Sequence, residues 1–364
     1  MSDTFRILAI NPGSTSTKIS VFENEEEVWS IKISHSKDQL EGFQHIFDQY
    51  DFREGVILDE LKKAGMEIAS FDGIVGRGGV VYPIEGGTYN VGQRLLEDLR
   101  KGVQGEHVSN LGAPIAKELA READCPAFIV DPVVVDEMED IARYSGHPDL
   151  PRRSILHALN QKAVARQAAS DLGREYGDLN LIVVHLGGGI SVGAHRRGRI
   201  VDVNNALNGD GPFTPERSGG LPVGDLVDLC FSGSRTHAEI KRMIKGNGGI
   251  VAYLGTNDML TVEKEIEKGN AEYRAVYEAM AYQVSKEIGC LSTVMKGDVD
   301  AIVITGGIAY DRNFINWIRE RVGFIADIMV YPGEREMEAL ALGVLRVLRG
   351  QETAKDYDPE GKVQ

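Results

Sequence analysis

A strand–turn–strand unit occurs twice in this chain, and the repeat limits the fold more than any other feature. The first copy runs from the apolar Ile7-Leu-Ala-Ile10 through Asn11-Pro-Gly-Ser-Thr-Ser-Thr-Lys18 into the alternating Ile19-Ser-Val-Phe22. The second copy, Leu181-Ile-Val-Val-His-Leu-Gly-Gly-Gly-Ile-Ser-Val-Gly-Ala194, begins close to half of the 364-residue chain later. His185 falls where Asn11 falls, and Gly187, Gly188 and Gly189 fall on Gly13, Ser14 and Thr15. A buried strand that breaks into Gly, Ser and Thr and then resumes offers backbone amides and hydroxyls to an anion. Neither a Walker loop nor a dinucleotide fingerprint fits, because each needs a helix directly after its turn. The first turn taken singly reads equally well as a ligand-free hairpin. With a second copy, the expectation is two like domains facing one another across a cleft, with one nucleotide between them.

The formal charge of -15 argues against a nucleic-acid partner and against an anionic membrane surface, both of which draw basic patches. It also means that an anionic substrate must be drawn in by local cations beside the Gly-rich turns. Cys125, Cys230 and Cys290 are far apart and lack metal-ligand spacing, which suits a reducing cytoplasm. The N-terminus carries no cationic start with an apolar core after it, and no apolar run approaches membrane-spanning length.

Along the chain, residues 37–64 carry two helical patterns read as packing helices. Phe71-Asp-Gly-Ile-Val-Gly76 reads as a short strand with Arg77 at its C-terminal end, where open α/β sheets collect ligands. A helix follows His107, with Ser109 or Asn110 as its cap. The strand Ala127-Phe-Ile-Val130 ends in Asp131, placed either as a cleft carboxylate or as a turn former before Pro132. Residues 151–173 form a long helix with His157 near its start, where an anion is favoured. The stretch Gly209 to Gly220 is too rich in Gly and Pro for a helix or strand. Arg217 is its only cation, and we read it as a finger to the transferred group. Helices are expected over 223–246, after 255 with Thr256 or Asn257 as cap, over 272–295, 313–322 and 336–348. The long 272–295 helix suits a subunit interface or core packing equally. Strands are expected at 300–305, before Gly306 and Gly307, and at 328–330. The tail from Gly350 lacks an apolar period and is expected to fray.

The motifs NPGSTSTK, VVHLGGGISVGAH, DVNNALNGDGPFTPERSGGLP and TGGIAY occur in this order over most of the chain. They resemble those of the acetokinase family, the acyl-phosphate-forming branch of the sugar kinase and actin superfamily, and most closely its butyrate kinase members. The resemblance implies an α/β fold of duplicated ribonuclease H-like (actin-like ATPase) domains, each a mixed five-stranded sheet with flanking helices. The expected division is 1–178 for the carboxylate side, 179–349 for the nucleotide side and 350–364 for a flexible tail, with helix 335–349 packing back onto the first domain.

The implied activity is reversible phosphoryl transfer from ATP to a short-chain carboxylate, giving butanoyl phosphate and ADP. Acetate, propionate and branched acids are alternatives, and a nucleotide-gated binding ATPase on the same scaffold is the alternative of a different class. Asp131 occupies the catalytic acid position, Arg77 and His107 the substrate side, and His157 and Arg217 the transferred group. Asn11, Ser14, Ser16 and Lys18 face the phosphates from one domain, and His185, Gly187, Gly188 and Gly189 from the other. Asp258 and the turn Gly306-Gly307 fall to the adenosine. Magnesium is expected with Asn11 and Glu336 as outer contacts, Glu336 being preferred over Glu334 and Glu338. Leu260 stands where the acetate enzymes tend to have arginine, which favours the butyrate branch. A homodimer or higher homo-oligomer is implied.

Overall fold

The structure, a computed structural model, describes residues 4–359. The chain up to Val135 together with the chain from Arg335 forms one compact unit, and Asp136–Glu334 forms the other.

The first unit opens with an antiparallel meander of β1 (Arg6–Gly13), β2 (Ser16–Glu23) and β3 (Glu26–Ser34). It continues through α1 (Lys37–Leu40), α2 (Tyr50–Lys63), β4 (Gly73–Gly76), β5 (Thr88–Asn90), α3 (Gln93–Lys101), α4 (Gly112–Ala123) and β6 (Ala127–Val130). The sheet order is β3-β2-β1-β4-β6-β5, with β4 parallel to both β1 and β6. Ile7 to Ile10 of β1 and the strands β4 and β6 have almost no accessible surface, as central strands covered on both faces must.

The second unit repeats the plan. It contains α5 (Ala158–Asp171), then the meander β7 (Asn180–Leu186), β8 (Ile190–Arg196) and β9 (Arg199–Val203). After it come α6 (Val223–Phe231), α7 (His237–Ile244), α8 (Ile250–Leu254), α9 (Met259–Glu267), α10 (Ala271–Val294), β10 (Ala301–Gly306), α11 (Arg312–Val322) and β11 (Ile328–Pro332). Its sheet order, β11-β10-β7-β8-β9, has the same directions as the first five strands of the other sheet. The chain then returns to the first unit as α12 (Glu336–Leu348). The duplication legible in the turns therefore extends to whole sheets. The first sheet departs from the expected five strands by one, since β5 adds antiparallel to β6 at its edge.

The unit boundary lies at 135, whereas the sequence suggests 178. Residues 136–171 join the second unit because Val164, Ala165 and Ala168 of α5 pack on Leu181, Val183, Ala301 and Val303, and buried Lys162 pairs with buried Glu137 at 3.0 Å. In the first unit α12 lies so close to β6 that a Cβ on Gly343 would stand 2.6 Å from Val130. The stretch beyond Gly350 is not frayed within the described residues. Lys355 exchanges backbone hydrogen bonds of 2.8 and 2.9 Å with Thr88 and Asn90, and the Tyr357 hydroxyl donates to buried Asp98 at 3.0 Å. An open sheet edge accepts a chain of any composition, so apolar periodicity is no guide to order there. Residues 360–364 of that expected tail lie outside the described residues. Helix α9 also differs: Asp258, not Thr256 or Asn257, is its cap.

Candidate active site

In the first unit, the turn between β1 and β2 and its flanks carry Asn11, Ser14, Ser16 and Lys18. Asn11 stands opposite Lys18 in the register, Ser14 and Lys18 are exposed, and Asn11 and Ser16 are half-buried. Beneath the turn lies Arg53 of α2, with 0% of its surface accessible. Its Nη1 donates to the Ser16 carbonyl at 3.1 Å and to Thr17 Oγ1 at 2.9 Å, and its Nε donates to Gln49 at 3.0 Å. Burial pushes its pKa down to about 10. A guanidinium with only neutral oxygens around it places a fixed positive charge under a turn rich in amides and hydroxyls, which favours an anion above.

Arg77 follows β4, and its backbone N–H donates to Ile10 at 2.8 Å. The loop presses on the start of α4: a Cβ on Gly112 would lie 2.4 Å from the Arg77 carbonyl. The Arg77 guanidinium pairs with Glu336, the first residue of α12, and Asn11 Nδ2 donates to the other Glu336 oxygen at 2.8 Å. The three glutamates that sequence leaves open therefore part company. Glu334 approaches His185 Nε2 at 3.4 Å, Glu338 pairs with Arg335 at 3.7 Å, and Glu336 meets Asn11 and Arg77.

Asp131 is 2% exposed and holds a left-handed backbone at φ 38°, directly before a proline. For a non-glycine residue this conformation costs roughly 1–2 kcal/mol. Its Oδ1 accepts from Gly87 N–H at 2.7 Å, so the carboxylate is held in place by a neighbouring loop. His107 caps the short turn ahead of α4, its Nδ1 lying 2.7 Å from the Ser109 hydroxyl and accepting from Ser109 N–H at 3.2 Å. That leaves Asn110, one of the two expected caps, buried and bonded to Val80, Leu99 and Gly105.

In the second unit, the β7–β8 turn carries Gly187, Gly188 and Gly189. His185 is 2% exposed, its Nδ1 lies 2.7 Å from Asn160 Oδ1, and its ring stacks on His157 at 3.8 Å. Arg217 reaches across the same turn. A Cβ on Gly189 would stand 1.9 Å from Arg217 Nη1, so an added methyl group would have to displace the guanidinium. Nη1 donates to Ala206 at 2.8 Å, while the buried Nε has no hydrogen-bond partner among the described residues. Burial lowers the Arg217 pKa. An orphaned N–H on a buried cation is a donor waiting for an anion. Thr214 fixes the loop, donating to the Gly188 carbonyl at 2.7 Å and accepting from Arg217 N–H at 3.1 Å.

Gly306 (φ 95°) exchanges backbone hydrogen bonds with Gly333 and would clash with Leu186 if it bore a Cβ, whereas Gly307 has open space around it. Asp258 is exposed and spends its carboxylate on α9, accepting from Leu260 N–H and Thr261 Oγ1. The Thr261 hydroxyl, and after it the backbone N–H groups of the cap, lower its pKa.

Among the described residues no group of three or more His, Cys, Asp or Glu is arranged to hold a metal ion. The Glu336 carboxylate is shared between Arg77 and Asn11. This donor set fits a hydrated cation held chiefly by nucleotide phosphates, with Asn11 and Glu336 touching its waters.

Sequence reasoning missed Arg53, Asn160, Gln161, Ser191 and Thr214. A signal existed for Arg53, which shares a helix face with buried Ile57 and Leu61, and for Gln161, which shares one with Ala165 and Ala168. A polar residue on an apolar stripe has a buried partner to find.

The acetokinase family model matches residues 147–325. Butyrate kinase 1 of Clostridium acetobutylicum is 56% identical over 353 residues, covering 97% of this chain and 99% of that relative. The chain belongs to the acetokinase family. Butyrate kinase 2 of the same organism is 57% identical with the same coverage. Among solved structures, acetate kinase from Porphyromonas gingivalis matches 94% of the chain and 100% of its own with a TM-score of 0.76 at 17% identity. Propionate kinase from Francisella tularensis matches 93% and 98% with a TM-score of 0.71 at 18% identity. These likenesses establish the shared acetokinase-type fold.

Proposed function

We propose that this acetokinase-family protein transfers the γ-phosphoryl group of ATP to butyrate, giving butanoyl phosphate and ADP, reversibly. The observation that carries the reading is full-length identity above half to two butyrate kinases. A carboxylate nucleophile is ionised near neutral pH, so the chemistry needs alignment and charge neutralisation more than a base.

Each group has a role that its surroundings support. Arg77 takes the substrate carboxylate, with Glu336 and Asn11 orienting its guanidinium until the acid arrives. Arg217 spans the transferred group through its unpartnered Nε, and His157 donates to the same group. Asp131, fixed by Gly87, acts as an orienting carboxylate. The hydroxyl turn with Lys18 in the first unit and the glycine turn with His185 in the second are each suited to phosphate, while Gly307 leaves room for the adenosine. Magnesium, when bound with ATP, neutralises phosphate charge, and Asn11 and Glu336 would meet its waters.

Val223, Val227 and Phe231 of α6 are 72%, 48% and 86% exposed, which supports assembly as a homodimer or larger. The unpaired thiols of Cys125, Cys230 and Cys290 support a reducing cytoplasm. Among the described residues no helix is long and apolar enough to cross a membrane.

The test is acid-dependent ADP release with butyrate, acetate, propionate and branched acids, in the wild type and in Arg77→Ala. Butyrate or a branched acid should give the highest kcat/KM, and Arg77→Ala should chiefly raise the KM for the acid. ADP release that ignores the acid contradicts the reading. One methylene is worth about 1–3 kcal/mol, so neighbouring acids will overlap.

A further inference from the structure

A chain of hydrogen bonds runs behind His157, and two of its members, Ser191 and His195, lie inside the VVHLGGGISVGAH motif. Tyr176 hydroxyl lies 2.8 Å from His195 Nδ1, and His195 Nε2 lies 2.9 Å from Gln161 Oε1. Gln161 Nε2 lies 3.0 Å from the Ser191 carbonyl and 2.8 Å from Ser191 Oγ, which is 2.9 Å from His157 Nδ1. Gln161, Ser191 and His195 each have 0% accessible surface. All five residues belong to the second unit.

One atom fixes the direction of every bond. The Ser191 carbonyl can only accept, so the Gln161 atom beside it is the NH2 group. The oxygen of Gln161 therefore faces His195, whose Nε2 must carry a hydrogen and whose Nδ1 must accept from Tyr176. Burial, followed by the charges of Lys162 and Arg166, holds His195 well below its usual pKa, in keeping with a single ring proton. Ser191 Oγ accepts from Gln161 and, at 3.4 Å, from the His157 backbone N–H. Among the described residues the acceptor that faces its own hydrogen is His157 Nδ1, at 2.9 Å. An imidazolium at His157 would give Ser191 Oγ a further donor and leave the hydroxyl hydrogen unsatisfied.

We propose that Tyr176, His195, Gln161 and Ser191 form a positioning relay that locks His157 as the neutral tautomer with its proton on Nε2, the donor to the transferred phosphoryl group. This deepens the kinase reading and rests on it for the role of His157. The backbone makes room for the relay, since a Cβ on Gly193 would stand 2.5 Å from Gln161 Oε1. His157 and Gln161 lie one helical turn apart at the start of α5, so the same turn that aims the histidine also supports its anchor. Asn160 in between holds His185 at 2.7 Å, keeping the stacked partner ring in register.

The experiment is the ring-nitrogen NMR spectrum of protein labelled with 15N-histidine, with His157 assigned by loss of its signals in His157→Gln. His157 should show an unprotonated Nδ1 and a protonated Nε2 near neutral pH. In Ser191→Ala this signature should become a tautomer mixture, and kcat should fall about tenfold with both KM values held within about twofold. Ser191→Thr, which keeps the hydroxyl, should restore both. A proton on His157 Nδ1 in the wild type overturns the relay whether or not any variant folds. So does an altered Ser191→Ala spectrum with undiminished kcat. Wild-type protein that makes no acyl phosphate while showing the expected spectrum would instead remove the kinase reading.

Discussion

Replacing Gly189 by alanine adds one methyl group to a turn and should disable the enzyme without unfolding it. The new Cβ would lie 1.9 Å from Arg217 Nη1, against the 3.4 Å at which ordinary contact begins. The guanidinium must retreat by about 1.5 Å, breaking its 2.8 Å bond to Ala206 and carrying the unpartnered Nε with it. A displacement of about 1 Å in a group that meets the transition state costs on the order of 100-fold in rate, or about 2.7 kcal/mol. Gly189→Ala should therefore lower kcat by about 100-fold at saturating substrates, with a melting temperature close to wild type. Gly55→Ala, on an exposed face of α2 with nothing within 4 Å of the new Cβ, should keep full activity and gain about 0.5–1 kcal/mol of stability. If Gly189→Ala folds and retains kcat within about threefold, Arg217 does not reach the transferred group in the way its geometry suggests.

Arg53→Met should raise the KM for ATP several-fold and also destabilise the protein, because the Ser16 carbonyl and Thr17 hydroxyl lose a buried donor worth about 1–3 kcal/mol. Arg53→Lys, which keeps the charge but not the fork, should recover the KM more fully than the stability; equal KM in all three proteins would show that the turn does not need the charge. A third expectation concerns pH. Burial, and then the charge of Asp210, push Glu287 of α10 from 4.5 up to about 7. A carboxyl raised in the folded state supports the fold while protonated, so its contribution is complete below about 4.5 and lost as pH rises through about 7. Glu287→Gln should flatten that decline, gaining on the order of 1–3 kcal/mol near pH 8 relative to wild type; parallel melting curves for the two proteins across this range would refute it.

The duplicated fold was legible because strand, turn and strand leave an unmistakable pattern of apolar run, small residues and alternation, and the same pattern returned half a chain later. Arg77 and Arg217 stood out as cations beside Gly-rich turns in an acidic protein. What sequence could not supply was pairing at a distance. Glu334, Glu336 and Glu338 are equivalent as text, and only the direction of the chain into α12 sends one to His185, one to Asn11 and Arg77, and one to Arg335. The unit boundary was misplaced for a similar reason: α5 has an apolar face that could pack on either sheet, and it packs on β7 and β10. Asp258 caps α9, a role that sequence does not separate from ligand binding, since an Asp before an apolar run serves either purpose.

In the proposed reaction an acid, and not water, receives the phosphoryl group. Trapping the product with hydroxylamine distinguishes the two, because only an acyl phosphate yields a hydroxamate. With Mg-ATP and a series of short-chain acids, the account predicts hydroxamate that peaks at butyrate or a branched acid and disappears without acid. ADP release without hydroxamate from any acid would contradict it.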